Sequence, residues 1–554
     1  MTSPGRRFRP ISALAVVLVL LAGACGGGKS DDGGTTAPEE AGDPVRGGSL
    51  TFGLEAETGD GWCLPEAQLA ISGIQVATAI YDTLATPNAE GEYVPYLAES
   101  IEHDEGYSTW TIGLREGVTF HDGTPVDAEV IKNNLDAFRG QYPARKPLLF
   151  IFTLDNIDTV EVTGDLEVTV TTKVPWVGFP AFLHSSGRLG MMAQAQLDNA
   201  DSCDRDLIGT GPFELVSWDP DREFVAEKNP DYWQEAPDGE PYPYLDEIRF
   251  TPVVEGEQRV NGLESGDLDL ALVGAAENLL TLDSLADDGV VKNRDSDSNP
   301  EMTFVQFNAS KAPFDDARMR RAVTLAMDRD DFNTVINRDL FTLANGPFGP
   351  GSAGYLEDSG FPTEQDIDEA KSLIADYEAE KGPLGTVTYQ ATPGKTTQEF
   401  AVYFQQTLKA VGLQVDIQTV QQDKLIDNAI SGDYDFMGFR NYPGGDPDLL
   451  YVWFNSASPV NFGRINDPEI DDLLARGRGE PDPDLREKIY QDLNREFGKD
   501  IWSLWLTNVT WRISSQPDVF GYDLETLPKL PDGSDPFKGL ATGIDVRGLW
   551  TTAG

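Results

Sequence analysis

The chain has 554 residues, with 93 Asp and Glu against 42 Lys and Arg, a formal net charge of −51. That field repels phosphate backbones and argues against nucleic-acid binding, while the 40% hydrophobic content is that of globular protein long enough for two or three domains. If the acidity answers a saline or alkaline exterior, screening by added salt should raise stability.

Arg6, Arg7 and Arg9 form a basic start, and Ile11 to Leu21 an apolar run too short to span a bilayer. Leu21-Ala22-Gly23-Ala24-Cys25 follows. The string looks like a bacterial lipobox, in which Cys25 is lipidated and begins the mature chain. The alternative is an ordinary signal peptide with an incidental cysteine. Residues from Gly26 to Asp43-Pro44 are mostly Gly, Ser, Thr, Pro and acid. They read as a flexible spacer reaching on the order of 25 Å for about 20 residues, which suits a lipid-tethered body. No later segment has an apolar run of membrane-spanning length.

From Gly47 to roughly Thr172 the sequence is strand-rich, with turn signals at Asn88-Ala89-Glu90-Gly91 and Asp122-Gly123. Cys63 and Cys203 are the two cysteines besides Cys25, and an oxidising exterior favours a disulfide over two buried thiols. Further on, Asp315 is a candidate cap for a helix with Met319, Ala322, Val323 and Ala326 inside. Asp366 opens another, through Ile367, Ala370, Leu373, Ile374 and Tyr377. Between Gly385 and Asp448 the pattern reads β-α-β-α-β and implies a parallel, doubly covered sheet. Its strands are Val387–Tyr389, Leu413–Ile417 and Tyr434–Phe439. Thr396 and Glu399 suggest a capping box for a helix with Phe400, Phe404, Leu408 and Val411, ended by Gly412. A short helix through Leu425 and Ile430 ends at Gly432. Leu485, Ile489, Leu493 and Phe497 share one side of a later helix. Asp518 to Trp550 is loop-like and reads as a tie between domains.

Ligands of parallel α/β sheets sit at the carboxyl ends of the strands. The segment leaving the third strand holds Arg440, Asn441, Tyr442, Gly444 and Asp446. It is the place to expect a solute, its glycines allowing close backbone approach. The alternative is a surface loop whose Gly and Pro serve turn geometry. His103, His121 and His184 are scattered, and HExxH, CxxC, P-loop and GxSxG patterns do not occur. Gly209-Thr210-Gly211-Pro212-Phe213 lacks the third glycine of a dinucleotide fingerprint. Nothing in the sequence calls for an enzyme, a cofactor or a bound metal.

Several phrases in order together resemble the extracellular solute-binding proteins of family 5, the peptide/nickel/oligosaccharide-binding components of ABC importers. They are Gly47-Gly48-Ser49-Leu50, Tyr81-Asp82-Thr83-Leu84, Leu97-Ala98-Glu99-Ser100, the run from Leu114 to Pro125, and Ile208 to Phe213. Asn229-Pro230-Asp231-Tyr232-Trp233, Phe307-Asn308 with Pro313-Phe314-Asp315, Arg321-Ala322-Val323 with Asp328-Arg329, and Gly432 to Asp435 complete the set. The resemblance implies a two-lobed, periplasmic-binding-protein-like α/β fold of class II type, with an additional domain and a ligand cleft between lobes. It implies a leader over residues 1–24, a tether over 25–45, a first domain from 46–85, 206–295 and 516–554, a second from 86–205 and a third, the second lobe, from 296–515. The Cys63–Cys203 pair would pin the first domain near its crossing into the second. Arg440, Asn441, Tyr442, Gly444 and Asp446 would line the cleft, with Trp62 facing it. The partners implied are a small solute, a peptide first of all, and a permease with its ATPase, the binding protein acting as a monomer held by its lipid.

One position departs from the pattern. In peptide-binding relatives a carboxylate holding the α-ammonium lies four residues before the proline of this loop. Here that proline resembles Pro447, and the position is Pro443. Sugars, opines, siderophores and chelated metals therefore stay open beside peptides, though scarce histidine disfavours direct nickel ligation. A cell-surface hydrolase or a signalling receptor is the alternative from another class.

Overall fold

A computed structural model of the chain describes residues 42–58, 61–67, 69–296, 301–442 and 444–552. Cys25, most of the spacer and Pro443 lie outside the described residues. No described helix is long and apolar enough to cross a membrane.

The first lobe is built on a seven-stranded mixed sheet in which Ser49–Leu54 runs parallel to both Glu247–Pro252 and Leu270–Val273. A four-stranded antiparallel sheet, Ala98–His103, Thr109–Leu114, Glu167–Thr172 and Ile157–Gly164, belongs to the same lobe. Its inward residues Trp110, Ile112, Val168 and Val170 share one continuous core with Phe52, Phe250 and Leu270 of the larger sheet.

The second lobe has its own core around a six-stranded sheet. Glu301–Phe307 and Phe436–Asn441 are central, and the first is buried along almost its whole length, as a strand covered on both faces must be. Val387–Ala391 pairs in parallel with Val415–Thr419 and Phe436–Asn441, giving the expected β-α-β-α-β unit. The sheet as a whole is mixed, because Glu301–Phe307 and Ser503–Val509 join antiparallel. That pairing joins strands far apart in sequence, which local periodicity does not report.

Two short crossings connect the lobes. One leads from Lys292–Asp295 in the first sheet to Glu301–Phe307 in the second. The other returns from Ser503–Val509 to Arg512–Ser515. The Ser296 N–H donates to the Trp511 carbonyl at 2.8 Å and ties the two together. The return falls earlier than the expected boundary at 515, since Arg512–Ser515 already pairs with Leu270–Val273.

Several local expectations need correction. The cap of helix Ala317–Ala326 is Asp316, not Asp315, its side chain accepting the Arg318 N–H. Helix Lys395–Ala410 starts one residue before the proposed capping threonine, behind Gly394 and with no side-chain cap. Thr397 turns back instead to the Thr392 and Gly394 carbonyls. Helix Ile367–Lys381 does take Asp366 as its cap. In Pro483–Asp500, Ile489, Leu493 and Phe497 are buried, but Leu485, in the first turn, is 49% exposed. The C-terminal segment ties the first lobe to itself: Ile544 meets Gln75, Tyr522 and Lys538 meet Arg294, and Arg547 meets Gln234.

Candidate ligand cleft between the lobes

The phrases with the strongest sequence signal assemble into scaffold. Asp82 is buried and accepts from Thr210 Oγ1 at 3.0 Å, Trp233 Nε1 at 2.8 Å and Tyr232 OH at 3.2 Å. Gly209 and Gly211 lie so close to Ile80 that a Cβ at either would stand 1.9 Å or 2.5 Å from its backbone. His121 accepts from the Gly209 N–H through Nδ1 and donates from Nε2 to the Gly211 carbonyl. Burial pushes its pKa down to about 4, so the ring is neutral and this tautomer is fixed.

The candidate cleft lies where strand ends of the two lobes meet. The third strand of the parallel unit is Phe436–Asn441 rather than Tyr434–Phe439, so Arg440 and Asn441 are its last residues and point to opposite faces. Tyr434 is instead held by its hydroxyl on the Phe462 carbonyl. From its strand end Arg440 forms an ion pair with Glu55, the residue just past the parallel strand Ser49–Leu54 of the first lobe. The two side chains keep 37% and 27% exposure, so the pair is accessible to a solute. Arg259 Nη2 stands 4.0 Å from Glu55, Glu301 Oε2 3.9 Å from Arg440 Nη1, and the Arg440 guanidinium 5.2 Å from the Trp511 ring centroid. Glu301 opens the strand that one crossing enters, and Trp511 lies on the other crossing.

Burial is the largest single influence and opposes both charges, yet the neighbouring charges together outweigh it: Arg440 and Arg259 hold Glu55 below its ordinary pKa, and Glu55 and Glu301 hold Arg440 above its own. Glu301 differs. Burial raises its carboxyl most, Arg440 opposes, Glu55 adds, and the result is about 7, with Trp511 Nε1 donating to it at 3.1 Å. A folded pKa above the unfolded one means that the folded state holds the extra proton, so this group's contribution to stability is lost as pH rises from about 4.5 through about 7. Glu301→Gln, which keeps an acceptor for Trp511, should therefore raise the thermal midpoint at pH 8 and change it little at pH 5. A gain equal at both pH values would contradict this assignment.

The rest of the predicted loop has mixed placement. Asn441 is half-buried, and its side-chain amide makes no hydrogen bond among the described residues. Tyr442 is 9% exposed and belongs to a buried apolar cluster that joins first-lobe residues to Met437, Leu449 and Phe462 of the second lobe. It lines a cavity of about 20 Å³ with Met302, Phe348, Gly444 and Pro447, room for water rather than solute. Gly444 has φ +121°, and a Cβ there would fall 2.0 Å from Leu449 Cδ1. The Gly445 N–H donates to Tyr93 OH of the first lobe at 3.2 Å. Asp446 is committed elsewhere: it takes both terminal nitrogens of Arg486, at 3.0 and 2.6 Å, and the Asp448 N–H at 2.8 Å. Trp62 is 1% exposed, packs against Trp218 and Phe224 at 5.8 and 5.2 Å, and lines a small cavity with Ala56, Glu57 and Ser72 at the strand end that bears Glu55.

Sequence reasoning missed Glu55, Glu301, Arg259 and Trp511. It also missed a second bridge, in which buried Asp448 accepts Trp176 Nε1 of the first lobe at 2.7 Å and Arg478 Nε at 3.0 Å. An acid directly after an apolar strand was the available signal for Glu55. Cys63 and Cys203 are disulfide-bonded, which removes them as metal ligands.

Two α/β lobes, joined by two crossings and facing each other with charged strand ends, define a two-lobed binding protein. The profile of bacterial extracellular solute-binding proteins, family 5 Middle, matches residues 92–462, and the chain belongs to that family. It is 25% identical over 454 residues to the glutathione-binding protein GsiB of Pectobacterium atrosepticum, covering 79% of this chain and 84% of that one. It is 24% identical over 520 residues to the oligopeptide-binding protein AppA of Bacillus subtilis, covering 89% and 92%. The solved structure of AgaA from A. tumefaciens with agropinic acid superposes with a TM-score of 0.80 at 24% identity, over 92% of this chain and 99% of that one. Such relatives are solute-binding proteins, which sets aside the hydrolase alternative.

Proposed function

We propose that the protein is the solute-capturing component of an ABC importer, held outside the cytoplasmic membrane by lipidated Cys25, and that it closes its lobes on a short peptide or peptide-like solute. The observation that carries this reading is the Arg440–Glu55 pair, which joins two strand ends across the lobes beside both crossings. A solute bearing both charges can replace each partner of that half-exposed pair, so that neither charge is left unpaired when the lobes close on it. Glu55 supplies the carboxylate for a solute ammonium that the loop itself lacks, with Pro443 in its place and Asp446 held by Arg486. The relatives that bind glutathione and oligopeptides favour peptides over sugars. Delivery to a permease and its ATPase follows from the family.

Because a solute binds only the folded state, a pool of short peptides should raise the melting temperature. At a hundred times Kd the gain is about 2.7 kcal/mol. Arg440→Ala should lose most of it. A sugar or metal-chelate library that stabilises the chain while peptides do not would replace the peptide reading.

A further inference from the structure

Glu301 is a buried carboxylate, 4% exposed, at the place where the lobes are joined. It opens the strand that one crossing enters, and its backbone pairs with Val509, just before the other crossing begins. On that second crossing Trp511 donates from Nε1 to Glu301 Oε2 at 3.1 Å, and its carbonyl accepts the Ser296 N–H. Any turning of one lobe against the other is therefore taken up around this carboxylate. A buried carboxylate keeps its charge only where donors and cations replace water. Among the described residues Trp511 is the one hydrogen-bond donor to the Glu301 side chain. The one described cation within 4 Å is Arg440, whose Nη1 stands 3.9 Å away.

That cation is shared between the lobes. Arg440 belongs to the second lobe, as Glu301 does, but its ion pair is with Glu55 of the first. Closing the lobes brings a second anion to the same guanidinium and excludes water. Opening them takes Glu55 away and leaves Arg440 to Glu301. A solute that sets a carboxylate on Arg440 and an ammonium on Glu55 has the effect of closure, because an anion again occupies the guanidinium. The other charges nearby do not alter this balance. Arg259, on helix Gly256–Ser265, stands 4.0 Å from Glu55 and forms no ion pair with Glu301 among the described residues. Asp295 and Arg512, at the far ends of the two crossings, are bound to each other at 2.6 Å. Strand Ser503–Val509 carries no charged residue, and Phe436–Asn441 carries none besides Arg440.

We propose that Glu301 is a positioning residue that couples solute capture to a proton: ionised in the open protein, where it holds Arg440, it takes up one proton as the lobes close and releases Arg440 to Glu55 or to an anionic group of the solute. In the closed structure burial raises the Glu301 carboxyl most, Arg440 opposes and Glu55 adds, to about 7; with Glu55 withdrawn and water admitted it returns toward its ordinary 4.5. A closed-state value above the open-state one means that closing binds the proton. By linkage, capture is strongest at low pH and weakens as pH rises from about 4.5 through about 7. The assignment rests on the solute-capture reading above.

The test uses the full mature chain in detergent and the peptide that native mass spectrometry shows it to retain best from a digest of short peptides. Calorimetric titration at pH 6 in two buffers of different ionisation heat reads the protons taken up. Wild type should take up close to one proton per peptide bound, and its affinity should fall about tenfold from pH 5.5 to pH 7.5. The peptide's own ammonium titrates higher and contributes equally to wild type and variant. Glu301→Gln, which keeps an acceptor for Trp511, should bind without proton uptake at pH 6 and with an affinity that is level across this range. Independently of any variant, the infrared difference spectrum of wild type at pH 6 should gain a protonated-carboxyl stretch when the peptide is added. Peptide binding by wild type without proton uptake, or with the same uptake in Glu301→Gln, would overturn the assignment and leave solute capture standing. Retention of no peptide by wild type would overturn the peptide reading and this assignment with it.

Discussion

Replacing Asp448 with alanine is expected to cost about 3–5 kcal/mol of folding stability, because it removes one partner of a buried ion pair and leaves the other charged. Asp448 is fully buried, with Arg478 Nε at 3.0 and 3.2 Å and Trp176 Nε1 at 2.7 Å. Burial pushes its carboxyl pKa up, and Arg478 only partly offsets that. The Arg478 guanidinium is stacked 3.6 Å from the Tyr451 ring centroid and 4.8 Å from that of Trp176, where water does not replace the lost carboxylate. Trp176 belongs to the first lobe and Arg478 to the second, so the same substitution should loosen the lobes from each other. Asp448→Asn keeps an acceptor for Trp176 and should cost less. Urea midpoints at constant m-value measure both effects; a midpoint unchanged in Asp448→Ala would contradict this account of the bridge.

Removing the disulfide by the double substitution Cys63→Ser and Cys203→Ser should lower stability by about 2–5 kcal/mol. The bond spans 140 residues of sequence, a long loop whose closure restricts the unfolded chain strongly; the chain-entropy estimate for that length is about 5 kcal/mol. Both cysteines are buried among apolar core residues, at 5% and 3% exposure, with Arg145 Nη1 2.7 Å from Cys63 Sγ. Reduction of the wild-type chain by dithiothreitol should reproduce the loss, and should have no further effect on the double variant. Equal urea midpoints for oxidised and reduced wild type would show that the cross-link does not restrain the unfolded chain.

The scaffold was far more legible in the sequence than the site. Phrases such as Tyr81-Asp82-Thr83-Leu84, Ile208 to Phe213 and Asn229 to Trp233 are recognisable because packing makes several adjacent residues interdependent: Gly209 and Gly211 admit the Ile80 backbone, and Thr210, Tyr232 and Trp233 meet on Asp82. The cleft has no such local dependence. Glu55, Arg440, Glu301 and Trp511 come from four separate strand ends, and each alone reads as an ordinary charged or aromatic residue. Periodicity located the strand that presents Arg440, but two residues too early, which turned a strand end into a loop. Asp446 was misread for a related reason, since Arg486, its partner 40 residues on, lies on another helix. For Trp62 the sequence offers still less, since an aromatic residue in a loop gives no local sign of which way it packs.

Lobe closure on a solute is the central claim, and the exposed ion pair Lys395–Glu277, 2.8 Å apart across the lobes, marks where to measure it. With spin labels at positions 277 and 395, pulsed electron paramagnetic resonance reads the distance between the lobes directly. Addition of the retained solute should collapse a broad or long distance distribution into one short, narrow population. A distribution unchanged by saturating solute would contradict capture by closure.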